Sequence, residues 1–437
     1  MKPMPHSVSE VSPPLPPFDR PPRPVETKRD IAIKALMTLV AAGAIVGCAS
    51  TNGSLAPRSA SSSLHVAHNG MNISRALPAA SPTPIPSDQA GCAPGPASGA
   101  ACGVQKNGAV PPSKTPVGGL TAAQLRSAYG LPAAPSTGVP AGPLVAVVVA
   151  FDNPSAEADL GAYRTQFGLP PCTSANKCFQ KIQLKPVPGN PPPAPAPPPN
   201  STTGTTWSDE RALDLAMVSA ACPTCRIALV ESVGQDLDSL ASAVTTAASY
   251  QPAAISNSWG VPEGGGNAPN IDAGAQAAFD LPGIAITASA GDLGTGQVQF
   301  PASSPYVTAV GGTSLTPGGG ARSWTESEWN GSGDGCSIMI PQPAWQTAGS
   351  CGGFRSVPDV SVLGDSVNPG VAVFNTTEKG WIVLGGTSVG APFVAGLYAA
   401  AADYGASTVG APNLYANLGA LNPVAGANGS PNGLTGF

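Results

Sequence analysis

Short apolar runs alternate with amphipathic stretches from Leu144 onward, and this alternation narrows the fold more than any other feature of the chain. Each run has the length of a buried strand, and helical patterns separate the runs. Strands that alternate with helices predict an α/β fold with a doubly wound, mostly parallel sheet and helices on both faces. The predicted strands lie at 144–151, 225–232, 253–260, 283–292 and 307–314, and the predicted helices near 156–167, 208–222, 236–250 and 272–280.

The composition excludes several other classes of protein. Gly and Pro account for 53 and 51 of the 437 residues, which argues against long helical bundles and coiled coils. Charged residues make up only 10% of the chain, and the net charge is −5. Because no basic stripe could neutralise phosphate groups, the sequence predicts no nucleic-acid partner.

Histidine is absent from most of the chain, and this restricts the available chemistry. The three histidines are His6, His65 and His68. Positions 69–437 therefore lack the side chain most often used as a base or metal ligand near neutral pH. Any reaction in this region must use carboxylates, hydroxyls, amides or thiols.

The N-terminal region resembles an export signal. Residues 31–47 form an apolar run whose one charged residue is Lys34, and Cys48 follows them as in the lipobox of bacterial lipoproteins. An uncleaved anchor and a buried helix are the alternative interpretations of 31–47. The lipobox predicts an exported protein with a lipid on Cys48. Such a protein would lie in the cell envelope, as an outer-membrane lipoprotein or in the periplasm, or outside the cell.

Composition also suggests the division into domains. Residues 49 to about 117 are rich in Ser, Ala, Pro and Gly and show little apolar periodicity, which suits a flexible tether. We expect a leader and lipoprotein-type signal at 1–48, a low-complexity tether at 49–117 and one domain at 118–437.

The other eight cysteines fall into close pairs, and local pairing is the simplest prediction for an exported chain. The Cys222-Pro-Thr-Cys225 spacing could also be a redox motif or half of a zinc site. No histidine or second motif of this kind completes a metal cage, so a structural bridge is preferred. The predicted pairs are Cys92/Cys102, Cys172/Cys178, Cys222/Cys225 and Cys336/Cys351.

Ser388 lies where a predicted strand passes through Gly385-Gly386 into an apolar helix. A serine at such a junction is expected to be exposed, with helix N-terminal amides beside it. This position suits a nucleophile whose reaction develops an oxyanion. The alternative is a serine that only caps the helix.

Two carboxylates are candidates for the base that Ser388 needs. Glu210 and Asp214 are four residues apart on the predicted helix 208–222, so they project from one face. If partly buried, they would share a proton and titrate as a coupled pair. Without a nucleophile nearby they would be two solvated charges.

A third acid, Asp292, ends the predicted strand 283–292 at the carboxyl edge, where open α/β sheets build their sites. A carboxyl group at this edge could stay protonated and donate a hydrogen bond to an oxyanion. The alternative is an aspartate that caps the turn before Gly294.

These segments, in this order, resemble the sedolisin family of serine-carboxyl peptidases. The resemblance covers about 118–437. It implies a subtilisin-like fold, peptide-bond cleavage at acidic pH, Ser388 as nucleophile and Glu210 as its base. It further implies that Asp214 orients Glu210 and that Asp292 is the acid on the oxyanion side. Subtilisins share the GTSxxxP pattern but use an Asp/His pair, which this region cannot supply. The segments that carry the resemblance are AYGLP (128–132), AEADLGAYRTQFGLPPC (156–172), ISNSWG (255–260), FPASSPYVTAVGGTSL (300–315) and GGTSVGAPFVAG (385–396).

The chain departs from the pattern of this family in two ways. Family members usually carry a large propeptide, whereas low-complexity residues separate Cys48 from the domain. The calcium site of the family uses two Asp side chains. Here the last acidic residue is Asp403, and Asn422 or Pro423, and Asn432, stand where those aspartates are expected. A bound calcium ion generally needs a carboxylate, so we expect a degraded site and no cofactor.

The sequence therefore predicts an exported, monomeric serine-carboxyl endopeptidase that acts on polypeptides. The main alternative is a catalytically weak or inactive homologue that acts as a surface binding lipoprotein, motivated by the short pro-region and the altered C-terminus. A serine esterase of the α/β-hydrolase type is a further alternative, but the GxSxG elbow and a usable histidine are missing.

Overall fold

The computed structural model of the chain describes residues 100–186, 205–264, 271, 273–318, 323–347, 351–403, 410–424 and 435–436. The predicted leader, the lipobox with Cys48 and most of the predicted tether lie outside these residues.

Within these ranges the chain forms helices and strands in alternation. The helices are α1 Ala122–Ala128, α2 Ala156–Gln166, α3 Trp207–Ala221, α4 Leu237–Ser249, α5 Ala273–Ala277, α6 Gly390–Asp403 and α7 Ala411–Ala416, followed by a 3-10 turn at Leu418–Ala420. The strands are β1 Ala101–Cys102, β2 Gln105–Lys106, β3 Leu144–Ala150, β4 Phe179–Gln183, β5 Arg226–Ser232, β6 Ala254–Asn257, β7 Trp259–Pro262, β8 Ala285–Ser289, β9 Gln299–Phe300, β10 Thr308–Pro317, β11 Trp324–Glu328, β12 Gly335–Pro341, β13 Phe354–Val357, β14 Val360–Leu363, β15 Val371–Asn375, β16 Gly380–Gly385, β17 Asn422–Pro423 and β18 Thr435–Gly436.

A mostly parallel sheet forms the centre of the fold. Its strands lie in the order β17, β18, β14, β10, β8, β6, β3, β5, β4, and β11 pairs with β10. The neighbours from β18 to β4 are parallel, whereas β11 and β17 pair antiparallel. All seven residues of β3 are buried, as expected for a strand covered on both faces. The predicted α/β fold with a mostly parallel sheet is confirmed.

Helices α3 and α6 pack against each other beside the central strands. A capping box begins α3: the Asp209 N–H donates to the Thr206 hydroxyl, and the Thr206 N–H donates to the Asp209 carboxylate. Every α3 residue except Ser208 is buried, because α2, α6, β3 and β15 surround the helix. This burial removes the acidic side chains of α3 from water.

Two predicted elements differ in detail from the structure. The run 253–260 forms two strands, because β6 ends its pairing with β8 at Asn257 and β7 then pairs with β1 and β9. Ser258 lies at the break between these strands. The helix predicted near 272–280 is shorter, since α5 ends at Ala277 and the chain continues in hydrogen-bonded turns.

Three of the predicted disulfides are confirmed, and their Cα separations fall within the usual window. Cys102 is also disulfide-bonded, and its predicted partner, Cys92, lies outside the described residues. The Cα–Cα distances are 4.8 Å for Cys172–Cys178, 5.3 Å for Cys222–Cys225 and 5.3 Å for Cys336–Cys351.

None of the helices in the described ranges is long and apolar enough to cross a membrane. These ranges also contain no group of three or more His, Cys, Asp or Glu residues that could hold a metal ion. Of the positions expected at the calcium site, Asn422 and Pro423 form β17, and Asn432 lies outside the described residues. Since β17 offers an amide and carbonyl oxygens but no carboxylate, it does not fit a calcium ion.

Candidate active site

Ser388 lies in the turn between β16 and α6, at the point where the strand ends and the helix starts. The Thr387 carbonyl accepts hydrogen bonds from the N–H groups of Gly390 and Ala391, which begins the first turn of α6. The Ser388 side chain is fully buried. This corrects the expectation of an exposed serine, because Gly103 lies directly against Ser388 and the Ser388 hydroxyl is bonded to Glu210.

The Ser388 hydroxyl donates a hydrogen bond to Glu210 Oε2 at 2.9 Å. Glu210 is fully buried in the first turn of α3, and the packing of α3 against α6 brings the two side chains together. The hydroxyl therefore points to a different helix and does not cap α6. Because positions 69–437 contain no histidine, a carboxyl group, that of Glu210, is the proton acceptor that contacts this serine.

Asp214 lies one helical turn after Glu210, and the two carboxyl groups contact each other. The Ser258 hydroxyl donates to Asp214 Oδ1 at 2.6 Å. The other two oxygens, Glu210 Oε1 and Asp214 Oδ2, are buried, and no hydrogen-bond donor in the described structure serves them. One proton shared between the carboxyl groups would satisfy both oxygens, because one would donate and the other accept.

Burial raises the pKa of both groups in this pair. The pKa of Glu210 lies well above its ordinary value, chiefly through burial and then through the nearby Asp214 charge, although the Ser388 hydrogen bond lowers it. Burial also raises the pKa of Asp214 to about 8, against the lowering effect of the Ser258 hydrogen bond. Two buried carboxylates in contact cannot both be charged, so the pair keeps a proton in acid.

Asp292 lies beyond the carboxyl end of β8 and is anchored by Thr387. Its Oδ1 accepts hydrogen bonds from the Thr387 N–H and from the Thr387 hydroxyl, both at 2.8 Å. Its Oδ2 is buried and has no hydrogen-bond partner among the described residues. Burial raises the pKa of Asp292 to about 7. In acid the carboxyl group is therefore protonated, and Oδ2 is the oxygen free to carry the proton.

Gly386 keeps open a small space between Asp292 and Ser388. Its φ of +97° lies in the region that favours glycine. A β-carbon at this position would lie 2.5 Å from Asp292 Oδ2 and 2.0 Å from the Gly103 carbonyl oxygen. That oxygen accepts a hydrogen bond from the Ser388 N–H at 3.2 Å. An N–H and a protonated carboxyl group that point into one space are the donors an oxyanion hole requires.

Sequence reasoning named the four side chains that the structure brings together here, but it missed three residues around them. Ser258 orients Asp214, and Thr387 anchors Asp292. Both belong to segments already singled out for their resemblance, ISNSWG and GGTSVGAPFVAG, and hydroxyl residues there were a usable signal. Gly103 gave no signal, because it lies in a stretch expected to be a tether.

The chain is similar to known proteins in both sequence and structure. No family model matches the chain. It is 33% identical to kumamolisin of Bacillus sp. (strain MN-32) over 214 residues, which cover 43% of this chain and 38% of kumamolisin. It is 35% identical to sedolisin of Pseudomonas sp. (strain 101) over 133 residues, covering 28% of this chain and 22% of that protein. With xanthomonalisin of Xanthomonas sp. (strain T-22) it shares 31% identity over 141 residues, 28% of this chain and 16% of the relative.

The structure is similar to that of Pseudomonas sedolisin, a serine-carboxyl proteinase in complex with two molecules of pseudo-iodotyrostatin. The TM-score is 0.57 at 21% identity, over 73% of this chain and 91% of that one. The chain is therefore similar in sequence and in fold to peptidases of the sedolisin family. The predicted subtilisin-like fold is confirmed. The matched stretches span 38% of kumamolisin and 22% of sedolisin, less than half of either relative.

Proposed function

We propose that this chain is a serine-carboxyl endopeptidase that hydrolyses peptide bonds in polypeptides at acidic pH. Ser388 attacks the scissile carbonyl while Glu210 accepts its proton, and Glu210 later returns that proton to the leaving amine. Asp214 orients Glu210 and shares its proton. Asp292, in its protonated form, donates a hydrogen bond to the oxyanion.

The hydrogen bond from Ser388 Oγ to Glu210 Oε2 is the observation that carries this proposal. Its 2.9 Å length lies within the range needed for proton transfer between a nucleophile and its base. A serine that only capped its own helix would need no buried acid on another helix. The absence of histidine from positions 69–437 supports a carboxyl group in this role.

The cluster of three buried acids supports the acidic pH of the proposed reaction. Glu210 must have an unprotonated oxygen, whereas Asp292 must keep its proton, so activity should fall at both extremes of pH. Burial is the largest cause of the raised pKa in all three acids. Burial raises the pKa of Asp292 to about 7, so loss of its proton sets the upper limit of activity, and the optimum is expected at roughly pH 3 to 6.

Digestion of a denatured protein between about pH 3 and pH 8 tests the proposal. We expect the wild type to show a bell-shaped profile with its maximum in acid, and Ser388→Ala to show no turnover. Ser249→Ala, at an exposed serine that ends α4, is the matched control and should behave like the wild type. A maximum near pH 8 would contradict the mechanism, because an imidazole-type base works there.

Export, a lipid on Cys48 and a monomeric state remain predictions that belong to the same proposal. The three disulfides in the described domain support an oxidising compartment outside the cytoplasm. Incorporation of labelled fatty acid into the wild type but not into Cys48→Ser would support the lipid. A wild-type protein without label would contradict it.

A further inference from the structure

The segment that carries Asp292 lies beside a second loop. Asp292 belongs to residues 290–296, which continue from β8, and the second loop is 331–334, between β11 and β12. Backbone hydrogen bonds connect the two at positions before and after Asp292, so the second loop supports the first along its length. The bonds run from the Gly333 N–H to the Gly291 carbonyl at 2.6 Å, from the Gly294 N–H to the Gly331 carbonyl at 3.0 Å and from the Gly296 N–H to the Asp334 carbonyl at 2.8 Å.

The two loops are in direct backbone contact. A β-carbon on Gly333 would lie 2.3 Å from the Ala290 carbonyl oxygen and 3.0 Å from the Gly291 carbonyl oxygen, so no side chain fits between the loops there. Thr295 and Asp334 also form an isolated parallel bridge. Because the backbones touch, a movement of 331–334 changes the position of the segment that holds Asp292.

Asp334 is the one charged residue in the Gly-Ser-Gly-Asp-Gly stretch 331–335, and it is fully buried. Its Oδ2 accepts a hydrogen bond from the Thr295 hydroxyl at 3.4 Å. Its Oδ1 is buried and has no hydrogen-bond partner among the described residues. A buried acid with an unserved oxygen costs free energy, so a role other than packing is expected for Asp334.

Glu328, the last residue of β11, contacts the Asp334 carboxyl group. Glu328 pairs with Thr313 of β10, a strand of the central sheet, so this contact joins loop 331–334 to the sheet. One proton shared by the two carboxyl groups would give Asp334 Oδ1 its missing partner. Without that proton, two negative charges would lie in contact away from bulk water.

Burial raises the pKa of both acids, and the Asp334 charge raises the pKa of Glu328 further. Hydrogen bonds from Thr295 and Gly296 lower the pKa of Asp334 but do not offset its burial. No Lys or Arg side chain of the described ranges pairs with either acid. The pair therefore keeps a proton in acid and loses it as the pH rises. The other acids on the adjoining elements have partners of their own: Asp292 accepts from Thr387, Glu326 from Thr313 and Glu263 from Ser337.

We propose that Glu328 and Asp334 are positioning residues for Asp292. The proton that they share holds loop 331–334 against residues 290–296. Loss of that proton releases both loops, and Asp292 then no longer faces the oxyanion. The inference rests on the proposed peptidase function and adds a second group that limits activity as the pH rises. Both acids act through Asp292 and not on the reacting atoms.

Hydrogen exchange on the full chain with Ser388→Ala, followed by mass spectrometry, measures the release of the loops. The protection of 290–296 and 331–334, corrected for the intrinsic rate at each pH, is compared between about pH 4 and pH 8. We expect protection to fall by up to about tenfold for each pH unit between the ordinary carboxyl pKa, near 4, and the raised pKa of the pair. Adding Glu328→Gln should keep most of the protection at the higher pH, because one charge is removed and the glutamine amide donates to Asp334.

Three further variants separate the shared proton from a general effect of substitution. Glu157→Gln is the matched control, since Glu157 on α2 is half-buried like Glu328 and its carboxylate accepts from Ser174. It should leave the pH dependence of protection unchanged. Asp334→Asn also leaves a single carboxyl group in the pair and should act like Glu328→Gln. Glu328→Ala removes the contact and should lower protection in acid as well.

Activity gives a second readout in chains that keep Ser388. Asp292→Asn has no carboxyl group at this position, so we assign the alkaline fall in kcat/KM that remains in it to Glu328 and Asp334. Adding Glu328→Gln to Asp292→Asn should remove most of the remaining fall. Adding Glu157→Gln should leave that fall in place.

The outcomes distinguish the inference from the proposed function. Protection of 290–296 that does not change with pH would overturn the inference, and so would equal behaviour of Glu328→Gln and Glu157→Gln. Both results would leave the peptidase standing, because exchange is measured on a chain without its nucleophile. A wild type that digests no peptide at any pH would refute the proposed function, whatever the exchange shows.

Discussion

Thr387 donates both of its polar hydrogens, from the backbone N–H and from the hydroxyl, to one oxygen of Asp292. These two donors leave Oδ2 as the oxygen that can carry the carboxyl proton, on the side that faces the Gly103 carbonyl. The Thr387 hydroxyl also accepts from the Gly291 N–H at 3.1 Å. The residue next to the proposed nucleophile thus fixes the direction in which Asp292, the proposed acid on the oxyanion side, points.

The Asp292→Asn variant should retain part of the turnover. Its activity should fall much less at alkaline pH than that of the wild type. Asn keeps a neutral donor at this position but does not titrate, whereas burial raises the pKa of Asp292 to about 7 and makes it lose its proton near neutrality. The pH profile of kcat/KM on a fluorogenic peptide measures this change. A variant with an unchanged alkaline limb would show that another group sets that limb.

Thr387→Val should lower kcat by about tenfold or more and raise KM by less, because Asp292 loses a hydrogen bond worth about 1.5 to 3 kcal/mol. The lost bond stabilises the charged carboxylate, so the pKa of Asp292 should rise and the alkaline limb should move to higher pH. Thr387→Ser keeps the hydroxyl and should restore most of the activity. Thr316→Val, at an exposed threonine whose hydroxyl bonds Thr325, is the control. Equal loss in the valine and serine variants would contradict the role of the hydroxyl.

Ser258→Ala should instead move the acidic limb of the pH profile of activity. The Ser258 hydroxyl stabilises the charged form of Asp214, so its removal should raise the pKa of the Glu210/Asp214 pair by up to about one unit. The acidic limb should then shift to higher pH, and the alkaline limb should not move. Ser256→Ala is a close control, since Ser256 is also buried but its hydroxyl has no hydrogen-bond partner among the described residues. An acidic limb that moved equally in both variants would indicate a general effect of cavity formation.

The parts of this site that could be predicted from the sequence are those with a local pattern. Strands such as β3 are buried along their whole length, so their apolar runs are visible, and the spacing of Glu210 and Asp214 fixes them on one helix face. The bonds made by Ser258 and Thr387 reach residues 44 and 95 positions away, and no local pattern records such distances. Residues 100–107 are held by strand pairing and backbone hydrogen bonds, which any sequence can form. Their composition therefore gave no sign that they contact the domain.

The protein should be more stable in mild acid than at slightly alkaline pH. Burial raises the pKa of Asp209 to about 6, of Glu231 and Asp292 to about 7, and of Asp214 to about 8. Each group binds its proton more tightly in the folded than in the unfolded chain. Its contribution to the free energy of unfolding is complete below the unfolded pKa of about 4 and is lost as the pH rises through the folded pKa. A tenfold difference in proton affinity between the two states corresponds to about 1.4 kcal/mol.

Thermal unfolding of Ser388→Ala at about pH 4.5 and pH 8 measures this dependence without self-digestion. We expect a lower Tm at pH 8, and a smaller difference when Asp292→Asn is added, because one titrating group is then removed. A higher Tm at pH 8 would show that the buried acids do not dominate the pH dependence of stability.

Residues 100–107 place Gly103 against Ser388 and are covalently attached to the domain, which has a quantitative consequence for every ligand that must reach Ser388. A tethered segment behaves as a competitor at an effective concentration on the order of millimolar, however dilute the protein is. Dilution cannot remove the tethered segment. An inhibitor must therefore be present above that effective concentration or bind correspondingly more tightly. An affinity measured on the intact chain therefore reports the replacement of the attached segment by the added ligand. A ligand can have a weak apparent Kd in this measurement and still be strongly complementary to the site.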